Sequence, residues 1–409
     1  MPFSSSAFGQ LRYIAESTPG VTPVAGNGVN LRMTDPNFKV AIATVASQEI
    51  RADRLSTGLT RTDMNIDGGF NFELSGKEYD PFLEGLLLSS FNHYGTLGLG
   101  TTFSMATTSS TITAAVAPTT TSAFTNIGLG QWIKIVAPAG ASQSVKDYFA
   151  DRWFKTHAST PSTTTVITLD ASTPIAAPGI MASTAGYAIS SSTIQNANTA
   201  KSFTMEHNLT DVSQFLTYTG MRVNTMELNM DVGGIVSGSF GFLGQGHTIQ
   251  GTTLLPGSPV ASQTLEVMNA VTDIGAIYEN GSSLLTSTSF IKSVKMSVSN
   301  NLRGQKAVAT FGNAGVGYGE LMVSGSLEVY FQDATYYNKW LNGTNTSLSI
   351  GMADALGNGY LIDFEKVTFK DGNFNPGGRQ NDVMLTLPFQ TFFNAATGRG
   401  IRITRGVSS

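Results

Sequence analysis

Apolar and polar residues alternate along much of this chain. Met221-Arg222-Val223-Asn224-Thr225-Met226-Glu227-Leu228-Asn229-Met230 places an apolar side chain at nearly every second position, the pattern of a strand with one buried face. The same period predicts strands at Gly69-Phe70-Asn71-Phe72-Glu73-Leu74, Phe203-Thr204-Met205, Phe215-Leu216-Thr217-Tyr218, Ile235 through Leu243, Phe290 through Met296, Gly325 through Phe331, Tyr360 through Phe369 and Val383 through Phe389. Helical spacing interrupts it twice. Asp80-Pro81 predicts a helix start, where Asp80 can cap free amides and Pro81 sits where the missing N–H costs nothing. Phe82, Leu83, Leu86 and Leu87 then share one face. A second helix is predicted near Asp333, carrying Tyr336, Tyr337, Trp340 and Leu341. Residues 1–40 read as an extended arm, and 41–75 as two strands joined by a polar excursion over 51–65.

The order of these elements repeats. Ser47-Gln48-Glu49-Ile50-Arg51, an excursion, the strand from Gly69 and the helix at Asp80 are followed much later by Ser299-Asn300-Asn301-Leu302-Arg303, a Gly-rich excursion, the strand from Gly325 and the helix near Asp333. Residues 360–369 then match 215–230, and 383–389 match 235–243. An internal repeat sets the architecture before any single residue does. Each unit reads as four or more strands plus one helix, an α+β arrangement that is mainly β. Residues 1–95 with 201–250 make the first unit and 251–409 the second. Between the two parts of the first lies a segment, 96–200, that has no Lys, Arg, Asp or Glu up to Ile133 or from Ala171 to Ala200. It carries predicted strands at Gly130 through Val136 and Thr163 through Leu169, and reads as an inserted small β-domain with its own Trp core; a flexible linker is the other reading.

Composition narrows the function. Charged residues are only 13% of the 409, about half the usual share, which suits surfaces that meet other protein. The net charge of −4 argues against a dedicated nucleic-acid binder. There is no cysteine, so no disulfide or thiolate metal site. The start lacks the pattern of a secretory signal, and no apolar run has the length of a spanning helix. Without an export signal the chain is expected to be made in a cytoplasm and to stay soluble until it assembles. The histidines His93, His157, His207 and His247 form no metal-ligand spacing, and no nucleophile elbow or phosphate loop is present. No catalytic residue, metal or cofactor is therefore expected. The run from Gly312 to Gly319 precedes a strand, not a helix, and reads as a loop tip that is mobile or orders against a partner. The densest charge is Arg51, Asp53, Arg54, Arg61 and Asp63. It reads as a solvated hairpin, an ion-pair strip between subunits, or a phosphate site, with Lys292, Lys295, Arg303 and Lys306 a milder version in the second copy.

Several segments together resemble the tail tube proteins of long, flexible-tailed bacteriophages. They are Ser47 through Arg54, Gly69 through Leu74 with Tyr79-Asp80, Thr219 through Met226, Gly238-Ser239-Phe240-Gly241-Phe242, and Asn300 through Lys306. The likeness covers most of the chain outside the insert. It implies sheets that roll with their neighbours into rings, and rings stacked into a hollow conduit for genomic DNA in the virion tail. It also implies tape-measure, tail terminator and tip proteins as partners, with no membrane and no sequence-specific DNA binding. Family members mostly carry one unit per chain in hexameric rings, so two tandem units here imply a trimeric, pseudo-hexameric ring. A conduit must not grip a polyanion. The alternating polar residues Asn71, Glu73, Glu227, Asn229, Glu328, Asp363 and Glu365 are thus expected to face the lumen, and a shift of one residue would reverse that choice. Arg51, Asp53, Arg54, Arg61, Arg303, Gln305 and Lys306 are expected at contacts between subunits, and 96–200 on the outside of the tube. Two rivals fit the strands: an outer-membrane barrel, which the two helices oppose, and a secreted adhesin or S-layer-like β protein, which lacks an export signal.

Overall fold

A computed structural model describes residues 3–93, 97–106, 111–114, 127, 130–137, 140–150, 152–157, 160, 162–163, 166–169, 180–189, 191–284, 290–376, 379–395 and 397–406. The protein is α+β and mainly β. The elements that build its body are β1 (Gly9–Ala15), β2 (Lys39–Ala46), β3 (Leu59–Glu73), α1 (Asp80–Leu87), β4 (Ser191–Gln195), β5 (Phe203–Leu209), β6 (Gln214–Asp231), β7 (Ser237–Gly244), β8 (Gly246–Gln250), β9 (Ile274–Glu279), β10 (Ile291–Ser299), β11 (Met322–Tyr330), α2 (Thr335–Leu341), β12 (Thr346–Ala353), β13 (Gly359–Phe369), β14 (Asn373–Asn375), β15 (Met384–Thr391) and β16 (Ile401–Gly406).

One antiparallel sheet runs through both halves of the chain in the order β2-β3-β7-β6-β10-β11-β15-β13. Two of its strands are shared with outer strands. Residues 214–219 of β6 pair with β5 and β8, and β5 continues to β1. Residues 359–364 of β13 lie between β12 and β16, which continue to β9 and β4. The predicted strands 215–218 and 221–230 are therefore one strand. It bends at Gly220, whose φ of 66° suits glycine and where a Cβ would come within 2.5 Å of Gln245.

Alternation along these strands sorts the side chains. Phe72, Gly238, Leu228, Met296, Gly325 and Phe389 form one row across six strands, and Phe70, Phe240, Met226, Val298 and Val323 the next. These rows belong to a hydrophobic core that extends from Leu11 to Ile403 and joins both halves. Helix α1 drives Phe82, Leu83, Leu86 and Leu87 into it, with the Phe82 ring 4.8 Å from Tyr13 and 5.2 Å from Phe203. Helix α2 buries no residue fully; Tyr336, Tyr337 and Trp340 only lean on the core. The glycines in the first row make room for rings. A Cβ on Gly325 would lie 2.4 Å from the Phe389 ring and 2.4 Å from the Lys295 carbonyl oxygen. We expect Gly325→Ala to cost about 1–3 kcal/mol through overpacking. An unchanged urea midpoint would show that the Phe389 ring is free to move aside.

Several expectations change. Residues 9–15 are not arm but a strand paired on both sides, signalled by Leu11 and Tyr13 alternating with Gln10 and Arg12. The excursion after β2 spans 47–58, shorter than 51–65 at its far end, because β3 starts at Leu59. Gly315–Gly317 pairs with Arg303–Gln305, so the glycine-rich run is ordered against its own chain. Asp80 caps nothing: Tyr79 is the cap residue of α1, and the buried Asp80 carboxylate instead accepts from Tyr360 Oη at 2.6 Å and from Arg405. Gly69 and Gly325, aligned by motif, lie on opposite sheet faces, whereas Glu73 and Glu328 share one.

In the segment expected as an insert, and called the insert below, a five-stranded sheet forms from Leu97–Ala106, Thr111–Ala114, Ile135–Val136, Val166–Thr168 and Ile180–Ile189, with a helix at Gln143–Ala150. The predicted strand residues Thr164 and Thr165 lie outside the described residues. Its core is aliphatic and phenylalanine, including Ile112, Ile133, Ile135, Phe149, Phe154 and Ile167. Its tryptophans are not that core. Trp132 and Trp153 are buried with Ala276 of β9 and Leu361 of β13, so they dock the insert onto the second half.

Candidate functional site

The sheet face opposite the core is polar from edge to edge. One row reads Glu73, Ser237, Asn229, Lys295, Ser326; the next Asn71, Ser239, Glu227, Ser297, Ser324, Gln390; a third Asp231, Ser293, Glu328, Thr386. Directly opposed residues of antiparallel strands share a face, so these side chains form one surface. Glu227, Asp231 and Lys295 are exposed; Asn71, Glu73, Asn229 and Glu328 are half-buried. Two of the carboxylates carry their own cations: Lys292 reaches Glu328 at 3.1 Å and Lys39 reaches Asp67 at 3.2 Å. The surface is left weakly acidic and rich in serine.

Asp363 and Glu365 do not belong to it. Residues 359–364 of β13 have left this sheet, and their odd-numbered side chains point toward the insert. Asp363 is 2% exposed and Arg402 4%. The guanidinium donates to Asp363 at 2.9 Å and to the Gly130 carbonyl of the insert, while Ser349 Oγ donates to the other Asp363 oxygen at 2.5 Å. Glu365 accepts from Arg399 at 2.5 Å and lies 3.7 Å from Arg402. The expectation that these two acids face a lumen is corrected by this burial. They form an ion-pair cluster under the insert instead. Sequence reading missed Arg402 and Arg405, although the alternation of Ile401-Arg402-Ile403-Thr404 marks a strand with a polar face. Arg405 serves the neighbouring buried acid, Asp80, whose carboxyl burial pushes above the ordinary range against the pull of that guanidinium.

The two charge clusters picked from sequence meet in part. Lys306 donates to Asp63 and Asn65 at 2.8 Å each and to the Met64 carbonyl at 3.2 Å, binding the second excursion to β3. That contact holds the Asp63 carboxyl below its ordinary value. Arg222 donates to the Val316 carbonyl at 2.7 Å, and Asn313 to the Gly244 carbonyl at 2.8 Å, so the excursion 303–317 laps over the ends of β6 and β7. Arg303 donates to the Tyr318 carbonyl, and Gln305 lies against Gly315. In the first hairpin Arg51 pairs with Asp53 at 2.9 Å, which, with the Leu55 amide, lowers the Asp53 carboxyl. Arg54 and Arg61 are exposed, Arg54 at a φ of 61°. Around them Val45, Ile50, Leu55 and Leu59 are exposed as well.

Glu206 and His207 point to opposite faces as alternation requires; Glu206 is buried and accepts from Thr217, Thr253 and the Leu254 amide, while burial lowers His207. Among the described residues no three His, Asp or Glu side chains gather as metal ligands, and no helix is long and apolar enough to cross a membrane.

A long antiparallel sheet with one polar face and one apolar face suits a structural role. A family model described as phage tail tube protein matches residues 9–391, nearly the whole chain, and the chain belongs to that family. No curated protein matches the sequence. The protein is thus a structural component of a bacteriophage tail tube.

Proposed function

We propose that the chain is the ring-forming subunit of the tube, with two tandem tube units per chain and three chains per ring, and that the stacked rings form a conduit for genomic DNA. The observation that carries this is the recurrence of strand order: β2-β3-β7-β6 is followed, across one antiparallel junction, by β10-β11-β15-β13. Each set places a helix, α1 or α2, after its second strand in the sequence. The junction between β6 and β10 joins the sets much as strands join within a set, so further copies can extend the sheet until it closes. Rings of three chains would then present six units.

In this reading the polar face lines the lumen through Asn71, Glu73, Glu227, Asn229 and Glu328. A weakly acidic, serine-rich wall, with Lys295 among its acids and Lys292 paired to Glu328, offers phosphates few free cations to displace their counterions. The insert lies on the far side, across β9 and β13, and faces outward. The work of the protein is mechanical containment, without catalysis, cofactor or membrane contact. Its partners are further copies of itself, the tape-measure protein, and the terminator and tip proteins. Electron microscopy of the purified chain tests the proposal. Hollow tubes with three chains per ring are expected; six chains per ring, or monodisperse monomers, would overturn it.

A further inference from the structure

Resting on the ring reading, we propose that the first hairpin, residues 43–61, caps the end of β15 in the neighbouring chain of the same ring, with Leu59 and its apolar neighbours covering Phe392 and Phe393. The template for this contact lies inside the chain. The excursion 303–317 laps over the first half and covers Gly244, which is buried beneath Asn313. Ser237 faces Glu73 in the first half as Thr386 faces Glu328 in the second. Carried along those strands, this match makes Phe393 the counterpart of Gly244 and Phe392 that of Leu243. It also makes Lys366 the counterpart of Arg222, and Glu320 that of Asn65, which receives Lys306.

The second half thus carries most of the landing site, left uncovered among the described residues, with Tyr318 in the place of Asp63. Phe393 is 64% exposed, although its counterpart is buried. The hairpin that would cover it is equally bare, with Leu59 71% exposed. Two exposed apolar surfaces, each matching one half of a contact already made within the chain, fit each other. The charges agree in sign: Lys306 of the excursion meets Asp63, and Arg54 and Arg61 of the hairpin would meet the exposed Glu320. The strand edges agree too. By the same match, Asn373–Phe374 of β14 takes the place of residues of β6 and Asp35–Pro36 that of residues of β10, and β6 and β10 pair.

The natural chain has no cysteine, so introduced thiols report alone. Leu59→Cys and Phe393→Cys in one chain, assembled and treated with a short bismaleimide, should give covalent dimers and trimers on a denaturing gel. Either single variant should give monomers. Assembled tubes that yield only monomers from the double variant would overturn this contact and leave the ring reading intact. Wild-type chains that form neither rings nor tubes would overturn the ring reading itself. Should the double variant fail to assemble, hydrogen exchange of the wild type decides: protection of both 43–61 and 392–394 should rise at least tenfold on assembly. Unchanged exchange at those two segments in assembled tubes would overturn the contact.

Discussion

Arg402→Met is expected to lower stability by about 3–5 kcal/mol and to loosen the insert from the body. Arg402 and Asp363 are both almost fully buried, and the guanidinium also holds the Gly130 carbonyl. Removing the cation leaves the Asp363 carboxylate in a dry site with Ser349 as its remaining close donor. An uncompensated buried charge, not the lost attraction, makes such changes costly. The double variant Arg402→Met with Asp363→Leu removes both charges and should recover most of the loss, since well-packed apolar residues replace buried pairs at little cost. Two of the three tryptophans, Trp132 and Trp153, are buried at this junction, so their fluorescence reports docking directly. Urea midpoints and emission maxima of the two variants check the argument. A loss under about 1 kcal/mol in the single variant would mean that water reaches Asp363.

Glu73→Lys combined with Glu227→Lys is expected to slow DNA ejection and make it strongly dependent on salt. Both residues lie on the polar sheet face, and neither forms an ion pair among the described residues. Glu328 is a poorer choice because Lys292 already neutralises it. In the three-chain ring proposed here, each ring would gain about six cations. About six phosphate contacts weaken roughly a thousandfold between 50 and 200 mM salt, so the drag per ring should fade over that range. Because rings repeat along the tube, even weak retention accumulates. Ejection kinetics that match the unmodified phage at 50 mM salt would place this face away from the DNA.

How much of this was legible in sequence depended on whether a pattern was local. The strict alternation of 221–230 and the helix at Asp80-Pro81 reflect one chain segment meeting one core, and both are found where periodicity puts them. The strands 346–353 and 401–406 also alternate, yet the sequence reading did not pick them out. Partners distant in sequence left no local trace. Asp80 looks like a helix cap because nothing nearby reveals Tyr360 and Arg405, about 280 and 325 residues on. Asp363 and Glu365 alternate like lumenal residues because parity names two faces without saying what covers each. The tryptophans misled in the same way: a large aromatic residue signals burial, not against which neighbour.

The pairing of β16 has a consequence for the order in which the molecule can form. Arg402 and Arg405 both reside on that strand and answer Asp363 and Asp80, and β4 pairs with it on one side and with Asn92–His93 on the other. During synthesis the acids and the seam beside the insert must therefore wait for residues 401–406 to leave the ribosome. Until then Asp80 and Asp363 lack the cations that hold them in the folded chain. This strand therefore closes the fold only after the acids it answers have been made.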